Sequence, residues 1–203
     1  MVSSPGSRDH DRVTSVLIVD DHAAIRTGLR VLLEGRLRID RIVAVPGGDE
    51  ALVHARREAP DVAIVDYHLP REDGLRLALR LEEVAPACRI AIYSGFVDDT
   101  MRVLAAVAGA EIVVSKDSEP DEVAEAVRDL AAGRPVPRAV RPAAMTAVSE
   151  AIDPADLPIL AMLMHDTPKA EIAETLGITD QWLLARRWAI LRRLSPRPSL
   201  TSR

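Results

Sequence analysis

The chain has one cysteine, Cys88. An internal disulfide is therefore excluded, and a reducing, cytoplasmic setting is the expectation. The thiol itself reads as a small apolar filler. Long apolar runs are missing too: no stretch free of Asp, Glu, Lys and Arg exceeds nine residues, Leu157 to His165, which excludes a transmembrane helix. The opening MVSSPGSRDHDR has no apolar h-region, so secretion is not expected. There is no Gly-rich phosphate loop, no nucleophile-elbow serine, no CxxC pair and no HExxH. What is present is a globular composition, 48% hydrophobic and 28% charged over 203 residues. That length has room for one domain of about 120 to 150 residues and a small partner.

Charge divides the chain. Residues 1–133 carry 16 basic against 24 acidic side chains, a net of −8, whereas 134–203 carry 10 against 7, a net of +3. Within 179–203 six arginines face Asp180 alone. The asymmetry suggests an acidic domain joined to one suited to a polyanion.

Five short β-branched runs alternate with five amphipathic ones. The strands are expected at 13–19, 41–45, 61–66, 89–94 and 111–115. A helix with Ile25, Leu29, Leu32 and Leu33 on one face follows the first, and others are expected at 49–58, 75–84, 98–108 and 119–132. Pro120 and nearby acids mark the start of the fifth helix, and Gly133 is its C-cap candidate. Continuous apolar strands alternating with helices imply a five-stranded parallel sheet covered on both faces, a doubly wound α/β fold. The domain is expected at 13–132, a proline-containing linker at 133–150, three short helices within 151–195, and a disordered tail at 196–203.

Parallel sheets place ligands beyond the carboxyl ends of their strands. Those ends carry Asp20 and Asp21, Asp66, Ser94 and, one residue beyond the last strand, Lys116. Three carboxylates converging within ~5 Å would repel one another by roughly 3 kcal/mol per pair at an effective dielectric near 20. Such a cluster needs a cation or must protonate. Hard oxygen donors suit Mg²⁺. A carboxylate flanked by a dication, a lysine and a hydroxyl is equipped to accept a phosphoryl group, since the cations neutralise its equatorial oxygens.

The segments VLIVDDH, IRTGL, VDYHLPREDG, IAIYSG and the lysine of VVSK resemble the receiver domain of two-component response regulators, over about residues 14–132. The resemblance implies a flavodoxin-like fold and a phosphoprotein rather than an enzyme. Asp66 would be the phosphoacceptor, supplied by a histidine kinase. Asp21, Asp66 and the His68 backbone carbonyl would bind Mg²⁺, with Asp20 acting directly or through water. Ser94 would be the switch hydroxyl, and Lys116 would pair with the phosphorylated aspartate. Two positions depart from the common pattern: Val113 stands where many receivers have an aromatic, and Asp117 where proline often follows the lysine.

Other features have plainer readings. GGDEA (47–51) reads as a turn feeding a helix, His22 as a hydrophilic helix-start residue, and Tyr93 as sheet core. His68 and Phe96, two positions beyond Asp66 and Ser94, would flank the phosphoryl group and tune its lifetime.

Beyond the linker, helices are expected at 154–165, 168–176 and 180–194, with Thr179 or Asp180 capping the last. Leu157, Leu160, Leu163 and Met164 form one stripe, and Leu183, Ile190, Leu191 and Leu194 another. EIAETLGIT resembles the LuxR-type helix-turn-helix of NarL/FixJ-type regulators. It implies major-groove reading by the third helix, with Trp182, Leu184, Arg186, Arg187, Arg192 and Arg193 as candidate DNA contacts. Trp182, Leu183 and Leu184 replace the family's usual small, Val and Lys residues, Arg186 replaces its histidine, and Asp166 a glycine. Pro196 and Pro198 interrupt the nine residues after Leu194, so the family's fourth helix is not expected there. The expectation is a homodimeric regulator that binds promoter DNA. The alternative is a phosphorylation-switched module whose C-terminal helices bind a protein. A third reading, a Mg²⁺ phosphatase, is disfavoured because His68 stands where a second acid would be needed.

Overall fold

A computed structural model of the protein describes residues 12–134 and 140–195. Five parallel strands, β1 (Arg12–Val19), β2 (Arg38–Val45), β3 (Val62–Asp66), β4 (Arg89–Ser94) and β5 (Ile112–Ser115), lie in the order β2-β1-β3-β4-β5. The chain steps one way from β1 to β2 and the other way from β3 to β5, so the switch lies between β1 and β3 and a crevice opens there beyond the carboxyl ends. Register brings those ends level: Val19 pairs with Val65, Asp66 with Tyr93, and Ser94 with Ser115. Four helices connect the strands, α1 (Ala23–Arg36), α2 (Gly48–Glu58), α3 (Gly74–Val84) and α4 (Asp99–Val107), and a fifth, α5 (Pro120–Ala131), follows β5. The doubly wound α/β fold expected from the alternation is the one observed.

Each sheet face buries a separate aliphatic core. On one, Val16, Ile18, Ile64 and Ala91 meet Leu29 and Leu33 of α1 and Val127 and Leu130 of α5. On the other, Leu17, Val19, Val65 and Ile92 meet Leu52 of α2, Leu75 and Leu79 of α3, and Val103 of α4. Strands apolar on both faces satisfy both layers, which is why their sequence does not alternate. Gly133 ends α5 at φ 70°, and the Arg134 amide closes back on the Asp129 carbonyl.

The second core continues into the C-terminal helices α6 (Pro142–Ala151), α7 (Leu157–Met164), α8 (Lys169–Leu176) and α9 (Asp180–Leu194). Val148, Ile159, Leu163, Leu183, Ile190 and Leu191 are buried in one cluster with the residues of α3 and α4. Part of the expected linker is thereby corrected. Residues 142–151 are helical, because Pro142 occupies the first turn, where proline starts a helix rather than breaking it. The apolar side of α6 packs on α4, a tertiary contact that local periodicity does not reveal. Residues 135–139, the segment 1–11 and the tail 196–203 lie outside the described residues. Among the described residues no helix is long and apolar enough to cross a membrane.

Candidate functional site

The β1 run ends in two aspartates that the chain treats differently. Asp20 is 1% exposed and Asp21 half-buried. Asp20 Oδ1 accepts the His22 amide at 2.8 Å, and Oδ2 accepts Lys116 Nζ at 2.9 Å. Arg26, one turn into α1, donates from Nη1 to the Asp20 carbonyl at 2.7 Å, fixing the loop from behind. Asp66 closes β3 at 2% exposure, with Oδ1 3.0 Å from Lys116 Nζ and 3.3 Å from the His68 amide. Its other oxygen, Oδ2, takes no hydrogen bond among the described residues.

Gly74 makes this corner possible. A β-carbon there would stand 2.3 Å from the Asp66 carbonyl, so the loop after β3 folds tightly only without a side chain. Lys116 leaves the end of β5 across the Tyr93 ring, 5.5 Å from its centroid. Ser94 is fully buried, and its hydroxyl donates to the Phe96 carbonyl at 2.7 Å while accepting the Phe96 amide. In this conformation the hydroxyl is committed to the loop that enters α4. Phe96 itself is exposed, as is His68.

Burial pushes the Asp66 carboxyl above the ordinary carboxylate value and the Asp20 charge adds to this, with Lys116 opposing both. For Lys116 burial acts to lower the ammonium, but its hydrogen bonds to Asp20 and Asp66 prevail and the net shift is upward. The lysine is thus a fixed positive charge between two buried acids.

The residues present fit a divalent cation. Asp21 Oδ1 is buried and takes no hydrogen bond, although His22 Nδ1 stands 2.8 Å away. Asp20, Asp21, His22 and Asp66 each offer a ligand atom, and these atoms lie within 4.8 Å of one another. Of the expected ligand set, the acids converge, and the His68 amide donates to Asp66 Oδ1.

The candidate DNA contacts do not stay together. Trp182 is 43% exposed, Arg192 and Arg193 are exposed, and Leu184 is half-buried against the core. Arg186 is drawn back to Asp156 and Asp153 and lies over the Trp182 ring. Arg187, expected as a DNA contact, is instead buried at 2% exposure. Its two terminal nitrogens fork onto Glu82 of α3 at 3.0 and 2.7 Å, and Nε donates to the Val107 carbonyl of α4 at 2.8 Å. The reason is spacing: Arg187 lies four residues from both Leu183 and Leu191, on the inward stripe of α9. That periodicity was the available signal for Arg187. Glu82 and Arg26 carried none.

Comparisons with known proteins agree with this geometry. The family model described as the response regulator receiver domain matches residues 16–128. The DNA-binding transcriptional activator DevR/DosR of Mycobacterium tuberculosis is 34% identical over 122 residues, 60% of this chain. That match spans little more than half (56%) of DevR/DosR itself. The nitrate/nitrite response regulator protein NarL of Escherichia coli is 28% identical over 177 residues, 82% of each chain. A crystal structure of a LuxR-family two-component response regulator from Aurantimonas sp. SI85-9A1 superposes with a TM-score of 0.57 at 30% identity, covering 68% of this chain and 96% of that one. With more than half its length matched by the model and its acids, hydroxyl and lysine at the ends of the matched strands, the chain belongs to the response regulator receiver domain family.

Proposed function

We propose that the protein accepts a phosphoryl group on Asp66 from a histidine kinase and uses it to control transcription through its C-terminal helices. The observation that carries the reading is a carboxylate 2% exposed, held through Oδ1 by a lysine at 3.0 Å and clustered with two further acids. Asp66 Oδ2 attacks phosphorus as the bond to the donor's imidazole nitrogen breaks, giving an acyl phosphate and a neutral histidine. Lys116 faces the charge that develops on the phosphoryl oxygens and holds Asp66 in place. Mg²⁺ bound by Asp20, Asp21 and Asp66, with the His68 carbonyl as a further donor, would supply the remaining neutralisation.

The same reading assigns 13–132 to the receiver and 151–195 to output, with the exposed His68 and Phe96 limiting water at the acyl phosphate. The route between the two parts runs along α4. Ser94 holds the Phe96 loop, and the loop runs on to Asp98, whose Oδ1 caps α4 at the Met101 amide, 2.7 Å. Arg141, preceding α6, binds Asp99 at one end of α4, while Arg187 holds the Val107 carbonyl at the other. Reorientation of Ser94 toward a phosphoryl oxygen releases the Phe96 carbonyl and biases α4, an equilibrium between docked and freed C-terminal helices. Freed, α8 and α9 form the helix-turn-helix pair, with α9 in the major groove and a homodimer reading paired half-sites. The setting is the cytoplasm.

A second reading has its own support. Arg186 and Arg187 are spent on internal acids, which favours a module that grips a protein. Sequencing genomic DNA captured by wild type and by Asp66→Asn, each treated with a phosphodonor, separates the two. Sequence-selective, steeply salt-dependent capture by wild type alone supports transcription control. No selective capture by either protein overturns it in favour of the protein-binding module.

A further inference from the structure

We propose that the outer edge of β2 and the groove beside α2 dock an extended peptide from another protein. The peptide runs antiparallel to β2 and carries a base, an aliphatic residue and an acid at alternate positions. The inference does not depend on the chemistry at Asp66.

The backbone supplies the first argument. β2 ends the sheet order, and among the described residues only β1 pairs with it. It runs for eight residues, whereas β5 at the opposite edge has four. The Val45 carbonyl faces inward, accepting the Asp20 amide at 3.3 Å. Backbone groups alternate sides along a strand, so those of Val43 also face β1, and those of Ile42 and Ala44 face outward. Arg38, Asp40 and Arg41 cover the first half of this edge with charge, a common defence against pairing. The second half, 42–45, carries only aliphatic side chains.

The side chains supply the second argument. A groove of about 480 Å³ runs between this half of β2 and α2, with Val43, Val45 and Val53 as its apolar part. Val53 is 49% exposed there. The groove is also polar along its length. Asp49 is answered by Arg71 at 3.6 Å and Arg80 at 3.9 Å, and Glu58 by Arg41. Burial and the Arg41 charge hold His54 below its ordinary value, so it is neutral near pH 7. Glu50 and Arg57 make no ion pair among the described residues, which leaves one acid beside the carboxyl end of β2 and one base about 10 Å further along α2. Residues four apart in an extended peptide share a face and lie about 13 Å apart, a difference that long side chains absorb. Antiparallel pairing is the stronger ladder, and it fixes the order as base, aliphatic, acid from the peptide's N-terminus. The base then faces Glu50, the aliphatic residue lies beside Val43 and Val53, and the acid meets Arg41 and Arg57.

The test uses the full chain, ¹⁵N-labelled, and the probe peptide acetyl-Thr-Lys-Thr-Val-Thr-Glu-Thr-amide. The expected result is a dissociation constant on the order of millimolar, with amide shifts and slowed amide exchange centred on Ile42 and Ala44. Val53→Asp and Glu50→Lys should each weaken binding about tenfold with the far-UV dichroism unchanged, and so should exchanging Lys and Glu in the peptide. Absence of shifts at β2 with several millimolar peptide overturns the proposal, as does equal binding of the exchanged peptide or of both variants. Concentration-dependent protection of Ile42 and Ala44 without peptide also overturns it, by giving the edge to a second copy of this chain.

Discussion

Removing the Arg187 guanidinium should detach α9 from the receiver without unfolding the sheet. Arg187 is 2% exposed and makes three hydrogen bonds, two of them charge-assisted to Glu82. Breaking a buried pair on one side costs about 3–5 kcal/mol, mostly through the charge left behind. Here the stranded Glu82 keeps Lys169, which also contacts it, so the cost of Arg187→Ala should fall near 3 kcal/mol. Glu82→Ala should cost at least as much, because it leaves a guanidinium with no carboxylate inside the core. Both tryptophans, Trp182 and Trp188, lie on α9, so their fluorescence reports docking while far-UV dichroism reports the whole fold. In a urea titration the wild type should show the two signals moving together. In either variant the fluorescence transition should move to lower urea, ahead of the dichroism change. The double variant should be less destabilised than the summed singles by more than about 1.5 kcal/mol. Additive singles, or a loss below about 1 kcal/mol, would refute the idea that this fork holds the C-terminal helices down.

Acid should act on the same contact. Burial alone would raise the Glu82 carboxyl, but Arg187 and Lys169 prevail and hold it below its ordinary value. Its stabilising contribution is therefore complete above the ordinary carboxylate range and is lost as pH falls through the lowered value, so tryptophan emission should stay constant near neutrality and change only in acid. Gly109 has φ 81°, and a β-carbon there would collide with Glu82 and Arg187, so Gly109→Ala should shift the fluorescence transition in the same direction as Arg187→Ala. Asp66→Asn should abolish an acid-stable, hydroxylamine-labile phosphoryl adduct formed with a small phosphodonor, while Asp21→Asn should only slow its formation. Burial pushes the Cys88 thiol up to about 12, so iodoacetamide should label it in urea and leave it unlabelled in the native protein at pH 8.

The receiver was legible because its information is local. Each strand is a short run of β-branched residues, and a residue at the end of such a run in a parallel sheet has only one place to go. Asp20, Asp66 and Ser94 could therefore be gathered across intervals of 46 and 28 residues without any knowledge of packing. Arg187 is the opposite case. Its inward spacing was visible, but an arginine on an apolar stripe is tolerable only with a partner, and the partner stands 105 residues earlier on α3. Nothing near Glu82 signals that role. The region 142–151 failed for a related reason: with prolines on its N-terminal side and weak periodicity, its helix depends on α4 for a face to lie against. The tail positions 196–203, expected to be disordered, fall outside the described residues.

The docked α9 has a consequence for competition. A segment tethered to its own binding surface behaves as a ligand at an effective concentration in the millimolar range. A diffusing partner present at micromolar levels and binding the face of α3 and α4 equally well would occupy it about one time in a thousand. Reversing that ratio needs a bias of roughly 8 kcal/mol, and merely equalising it roughly 4 kcal/mol. If phosphorylation acts through Ser94 and the Phe96 loop as proposed, it must deliver a shift of that order before any rival for α4 is heard. The C-terminal helices therefore set a threshold, and the strength of the Glu82–Arg187 fork determines where it lies.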